Sequence, residues 1–180
     1  MSMKKILTGF VGGALCCIPA LAQTPAAPAA GGGDNEFVTF AAQTDMTEAH
    51  LGQLAQEQAA TQEIKDYGQM LTQDHTKDYD TLTALATKIG AEVPKGIDAA
   101  HNKMIDPMAK LKGKAFDRRF LQAMVKGHEE AIAKYKKEAD SGENAALKSY
   151  ATSTLPALQS HLEKAQDLLK PAGHKKAATM

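Results

Sequence analysis

The sequence predicts an all-α protein: a bundle of four long helices, with a short extra helix in the connection between the second and third. Two observations predict it. Apolar residues recur at steps of three and four along four long segments, the spacing of one helix face. Helix-favouring Ala, Leu, Lys, Gln and Glu are abundant, and no stretch alternates for long as a strand does. At 180 residues the chain is long enough for one domain with a real core.

Taken in order, the chain opens on Lys4 and Lys5, an apolar run from Ile6 to Leu21, and Ala20-Leu21-Ala22. A basic start, an apolar middle and an A-x-A end make a secretory signal peptide over residues 1–22, cut after Ala22. The run is short for a membrane span and Pro19 breaks it, which argues against a retained anchor. Leu15 precedes Cys16 where lipoprotein processing wants a small residue. The expected location is the periplasm, with no membrane span after cleavage.

Cleavage removes two lysines and no acids, so the charge goes from zero to 19 − 21 = −2. That balance implies no attraction to nucleic acid. Both cysteines, Cys16 and Cys17, lie in the signal. The mature chain then has none, which excludes thiolate metal sites and thiol catalysis. Without disulfides it must rely on its core or on a bound ion. Residues 23–33 hold Pro, Ala and Gly after Gln23 and Thr24 and read as a flexible linker. The bundle domain is expected over 34–170 and a disordered polar tail over 171–180.

The first helix is expected from Asp34 or Asn35, good N-caps, to about Ala60. Its stripe is Phe37, Phe40, Ala41, Thr44, Glu48, Leu51, Leu54 and Ala55. Glu48 lies in that stripe near mid-helix; taken alone it reads as a rim residue that snorkels to water.

Thr61 caps the second helix, so the first two helices are antiparallel neighbours. Ile64, Tyr67, Leu71, Leu82, Leu85 and Ile89 share its buried face, and Gly90 ends it. His75 and Asp78 interrupt that face at its middle, with Asp74 on the flank. At roughly 100° per residue both fall inside the buried arc.

The connection Ala91 to Gly113 carries Pro94, Gly96 and Pro107. Ile97, His101, Met104 and Met108 share one face, which gives the short helix, with Asp106-Pro107 a candidate restart. The segment is long enough to cross the bundle or to cover one end. His101 reads as a surface or capping residue, and the methionines as core filler rather than thioether ligands.

The third long helix is expected from about Lys114 to Asp140, with Phe116, Phe120, Met124, Ala131 and Tyr135 in its stripe. His128 lies on the same side near mid-helix, and Asp117 falls in the arc at the start. The last helix is expected from about Glu143 to Leu169, with Leu147, Ala151, Thr154, Leu158, His161, Leu162, Ala165 and Leu169 in its stripe. Pro156 inside it should kink the helix and free the Thr152 carbonyl, with Thr154 or water to compensate.

Each long helix therefore carries an ionisable residue on its buried face near its midpoint: Glu48, His75 with Asp78, His128, and His161. At mid-height they meet whichever way each helix runs. Three imidazoles and up to two carboxylates are a ligand set for a transition metal such as iron, zinc, manganese or copper. His75 and Asp78, three residues apart, serve one ion or form a ligand and its orienting partner. The other reading is a satisfied polar network without a metal, in which Asp78 holds His75 and Tyr67, Tyr79 and Tyr135 complete the bonding. No glycine-rich phosphate loop or serine elbow supports other enzyme classes.

Glu48 followed by Leu51-Gly52-Gln53-Leu54-Ala55, then Asp74-His75, Phe116-Asp117, His128, Leu155-Pro156 and His161-Leu162 resemble the domain of unknown function 4142 family. The resemblance runs from Phe37 to about Leu169. It implies a ferritin-like four-helix core and periplasmic placement, and no established activity. Ferritin-like di-iron sites take Glu from two helices and Glu-x-x-His from the others. Here Thr72, Val125 and Leu158 stand three residues before His75, His128 and His161. A mononuclear site, or none, fits better than an iron store. Two functions follow as expectations. One is an exported bundle binding a transition metal through His75, His128 and His161, with Glu48 and Asp78 as ligands or partners. The other is a non-catalytic envelope or stress-linked interaction module whose polar centre fixes helix register.

Overall fold

Capping residues set where the helices begin and end. In the structure, a computed structural model that describes residues 30–170, four long helices and one short one are present. They are α1 (Gly32–Gln58), α2 (Gln62–Ile89), α3 (Ala99–Met108), α4 (Gly113–Ser141) and α5 (Ala145–Leu169). The expected signal peptide (1–22), linker residues 23–29 and the tail (171–180) lie outside the described residues. Thr61 Oγ1 accepts the Ile64 N–H at 3.4 Å and opens α2, and Gly90, at φ 70°, closes it. Asp98 caps α3 through the His101 N–H at 2.9 Å, and Asn144 caps α5 through the Ala146 N–H at 3.0 Å.

Three boundaries differ from expectation. α1 begins at Gly32, because Asp34 lies inside the first turn and its carboxylate accepts the Gly31 N–H at 3.1 Å. α5 begins at Ala145, since Asn144 supplies the cap. α3 runs through Pro107 without a restart; the missing N–H falls in its last turn, where one lost bond is tolerated. α5 likewise continues through Pro156, and the Thr154 hydroxyl turns to Asp78 at 3.4 Å rather than to the freed carbonyl.

Two hydrogen bonds fix the direction of the helices. The Ala30 N–H bonds the Ile89 carbonyl at 3.0 Å, so α1 starts where α2 ends. The Ala60 N–H bonds Asp117 Oδ1 at 3.0 Å, so α1 ends where α4 starts. The segment 90–112 must then cross the length of the bundle. Tyr79 Oη donates to the Pro94 carbonyl at 2.8 Å, Gln43 Nε2 to the Gly96 carbonyl at 3.0 Å, and Gln58 Nε2 to the Ala109 carbonyl at 3.1 Å, tying it down along the way. The result is two antiparallel hairpins, α1–α2 and α4–α5, joined by one long crossover, with α1 beside α4 and α2 beside α5. Within the first hairpin the backbones nearly touch. A Cβ on Gly52 would stand 2.5 Å from the Gly68 carbonyl, and one on Gly68 would stand 2.7 Å from Ala55 Cβ.

The apolar interior is split in two. One core holds Phe37, Leu82, Ile89, Tyr135, Leu147 and Leu158. The other holds Leu51, Ile64, Tyr67, Leu71, Phe116, Phe120 and Met124. Between them lies a layer of buried polar side chains: Asp45, Glu48, His75, His128 and His161, none more than 3 % exposed. No described helix is long and apolar enough to cross a membrane.

Candidate metal centre

A buried ionisable group is tolerated when partners meet it, and this layer shows what meets each one. His75 of α2, His128 of α4 and His161 of α5 form a triangle. Their ring centroids are 5.7 Å (75 to 128), 5.3 Å (75 to 161) and 5.3 Å (128 to 161) apart. One ring nitrogen of each lies within 4.8 Å of the others. Glu48 of α1 closes the fourth side. Its Oε2 is 2.8 Å from His75 Nε2 and 3.1 Å from His128 Nε2. Its burial reverses the expectation of a rim residue: two imidazoles from neighbouring helices hold the carboxylate inside.

The outer nitrogen of every imidazole has an oxygen acceptor. His75 Nδ1 meets Asp45 Oδ1 at 2.9 Å, His128 Nδ1 meets the Met124 carbonyl at 2.9 Å, and His161 Nε2 meets Asp74 Oδ2 at 2.9 Å. An N–H on the outer nitrogen leaves the lone pair of His128 and His161 on the inner one, while the proton on His75 Nε2 lies against Glu48 Oε2 and an ion would have to displace it. Those inner atoms, His75 Nε2, His128 Nε2 and His161 Nδ1, make no aligned hydrogen bond among the described residues, and neither does Glu48 Oε2. Four buried atoms from four helices thus face one another at the centre, joined only through the Glu48 contacts to His75 and His128, while the outer ring nitrogens have acceptors of their own.

Charge follows from the same arrangement. Burial pushes the His75 imidazole down, but Glu48 and Asp45 on either side outweigh it and raise the group to about 10. Burial raises the Asp45 carboxyl to about 7, partly offset by its bond to His75. The proton of that pair therefore sits on His75 at neutral pH. Burial would raise Glu48, yet the three imidazoles around it hold it below the usual carboxylate range. His128 and His161 are both lowered, first by burial.

Of the residues singled out from the sequence, Glu48, His75, His128 and His161 come together. Asp78 is placed elsewhere: it accepts from Tyr150 Oη at 2.7 Å and from Thr154 Oγ1 at 3.4 Å. The second carboxylate at His75 is Asp45, three residues before Glu48 on the same face of α1, a spacing visible in the sequence. Tyr67 donates to the His161 backbone carbonyl at 3.1 Å and Tyr135 pairs with Tyr150 at 3.3 Å, so neither bonds an imidazole. Asp117 works at the α1–α2 turn, through the Ala60 N–H.

The donor chemistry is compatible with a transition metal, and the spacing asks the rings to draw in. Nitrogens about 2.0–2.1 Å from one ion in a tetrahedral shell stand about 3.4 Å apart. A pair at the 4.8 Å limit would close by about 1.4 Å to share an ion. Three imidazoles with oriented outer N–H groups and one buried carboxylate suit zinc, copper or iron better than hard cations.

No curated protein matches the sequence. Two solved structures share the fold. A DUF305 fragment from Deinococcus radiodurans superposes with a TM-score of 0.68 at 15 % identity, covering 79 % of this chain and 98 % of the fragment. CopM in the Cu(II)-bound form superposes with a TM-score of 0.62 at 16 % identity, covering 75 % of this chain and 94 % of CopM. The model of the family described as Domain of unknown function (DUF4142) matches residues 19–168, so the chain belongs to that family.

Proposed function

We propose that this protein is an exported metal-binding bundle whose centre holds one transition-metal ion. His75, His128, His161 and Glu48 are the ligands; Asp45, Asp74 and the Met124 carbonyl orient the imidazoles. The observation that carries the reading is the split between satisfied outer nitrogens and unsatisfied inner ones. A polar network built only to fix helix register has no use for an inward nitrogen such as His161 Nδ1, which has no partner among the described residues. Four protein donors in a buried layer make a closed coordination shell, which favours holding or carrying an ion over turning over a substrate on it. Copper(II) and zinc(II) are the first ions to try: imidazole suits both, and CopM, whose fold is shared, is known in a Cu(II)-bound form. The basic start, apolar run and Ala20-Leu21-Ala22 of the sequence support export, and the periplasm is the location we propose for this activity.

Metal analysis of protein purified without a histidine tag tests the reading, with the His75→Ala/His161→Ala double variant beside it. Binding near one ion per chain that disappears in the double variant supports it. Equal, negligible binding by both proteins refutes it in favour of a metal-free structural or interaction module.

A further inference from the structure

A cleft of about 180 Å³ between α1, α3 and α4 approaches the centre from one side. Glu48 lines it, and so does Gly127. The Glu48 carboxylate therefore has two faces. Oε2 stands beside His75 and His128, while Oε1 lies on the Gly127 side, where a Cβ would come within 2.7 Å of it. The absence of a side chain at Gly127 leaves the carboxylate room toward the cleft.

A second feature belongs to the same cleft. Thr47 lines it, is 3 % exposed, and its Oγ1 finds no hydrogen-bond partner among the described residues. A buried hydroxyl without a partner is unfavourable, and a hydrated ion or its water alongside would satisfy it. The outer wall is α3, a ten-residue helix that presents the half-buried Met104 and His101. Lys126 and Glu130 also line the cleft and offset each other, so the net attraction for a cation comes from Glu48 at its floor. On the side of the exposed Asp74 the centre presents the outer N–H of His161 rather than a lone pair.

Resting on the reading of the imidazoles and Glu48 as ligands, we propose that this cleft is the path by which a transition-metal cation enters and leaves the centre. Glu48 is the ligand that meets the ion first and passes it to His75, His128 and His161. Ligand affinity is set by the centre and exchange rate by the path, so the two separate experimentally.

Rates of zinc(II) and copper(II) uptake, and of their removal into excess chelator, are measured for the full chain and two variants. Ala123→Phe fills the cleft from α4, and Met104→Ala opens it from α3. The expected result is that Ala123→Phe slows uptake and removal together, by about tenfold, while Met104→Ala speeds both, with Kd constant within about twofold. Met104→Ala only removes atoms, so it keeps the test in force if Ala123→Phe does not fold. Wild-type binding with rates unmoved by either change overturns the path alone. Absence of wild-type binding overturns the metal reading beneath it.

Discussion

Removing the Asp45 carboxylate tests how the centre is organised without touching a proposed ligand. Asp45 Oδ1 lies 2.9 Å from His75 Nδ1, and both residues are buried, at 1 % and 2 % exposure. That contact keeps a proton on Nδ1 and aims Nε2 inward, so that an arriving ion displaces only the Nε2 proton shared with Glu48. In Asp45→Ala the buried Nδ1–H loses its acceptor. The one proton left when the ring gives one up then stays on Nε2, where Glu48 Oε2 waits at 2.8 Å. An incoming ion must displace that proton. Loss of such an orienting partner weakens metal affinity about 10–100-fold, or about 1.4–2.7 kcal/mol. Asp74→Ala should fall at the lower end, because Asp74 is half exposed and water replaces it as acceptor for His161. Titration calorimetry with zinc(II) on tag-free protein reads both. Affinity of Asp45→Ala within about twofold of wild type would refute the argument.

Other perturbations separate the centre from the scaffold. The metal-free protein should lose stability as pH rises from about 7.5 to 9.5. His75 is raised to about 10 in the fold against about 6.5 in the unfolded chain, so its stabilisation is full below 6.5 and fades toward 10. The slope approaches about 1.4 kcal/mol per pH unit, urea melts measure it, and a slope surviving in His75→Asn would contradict the assignment. Gly52→Ala puts a Cβ 2.5 Å from the Gly68 carbonyl and should destabilise the bundle by about 1–3 kcal/mol, read as a lower thermal midpoint. Asp117→Ala removes the acceptor of the Ala60 N–H and should cost about 1–2 kcal/mol in thermal melts while leaving metal stoichiometry unchanged.

Much of this molecule is legible in its sequence, because the apolar spacing that makes a helix also says which face it buries. Glu48, His75, His128 and His161 interrupt four such faces at mid-length, and mid-height residues meet regardless of helix direction. What depended on neighbours was less legible. Glu48 alone resembles a snorkelling rim residue; only imidazoles arriving from α2 and α4 explain its burial. Asp78 shares the inner arc of α2 with His75, but Tyr150 and Thr154 of α5 claim its carboxylate. Asp45 takes the place beside His75, through a pairing between helices that spacing within one helix does not reveal. The crossover could be settled only by long-range bonds such as Gln43 to Gly96 and Gln58 to Ala109.

The most direct measurement is X-ray absorption at the metal edge of tag-free protein loaded with one equivalent of copper(II) or zinc(II). A first shell of about three imidazole nitrogens and one carboxylate oxygen near 2.0–2.1 Å is the predicted result. A shell of oxygens without the imidazole scattering signature would contradict the account.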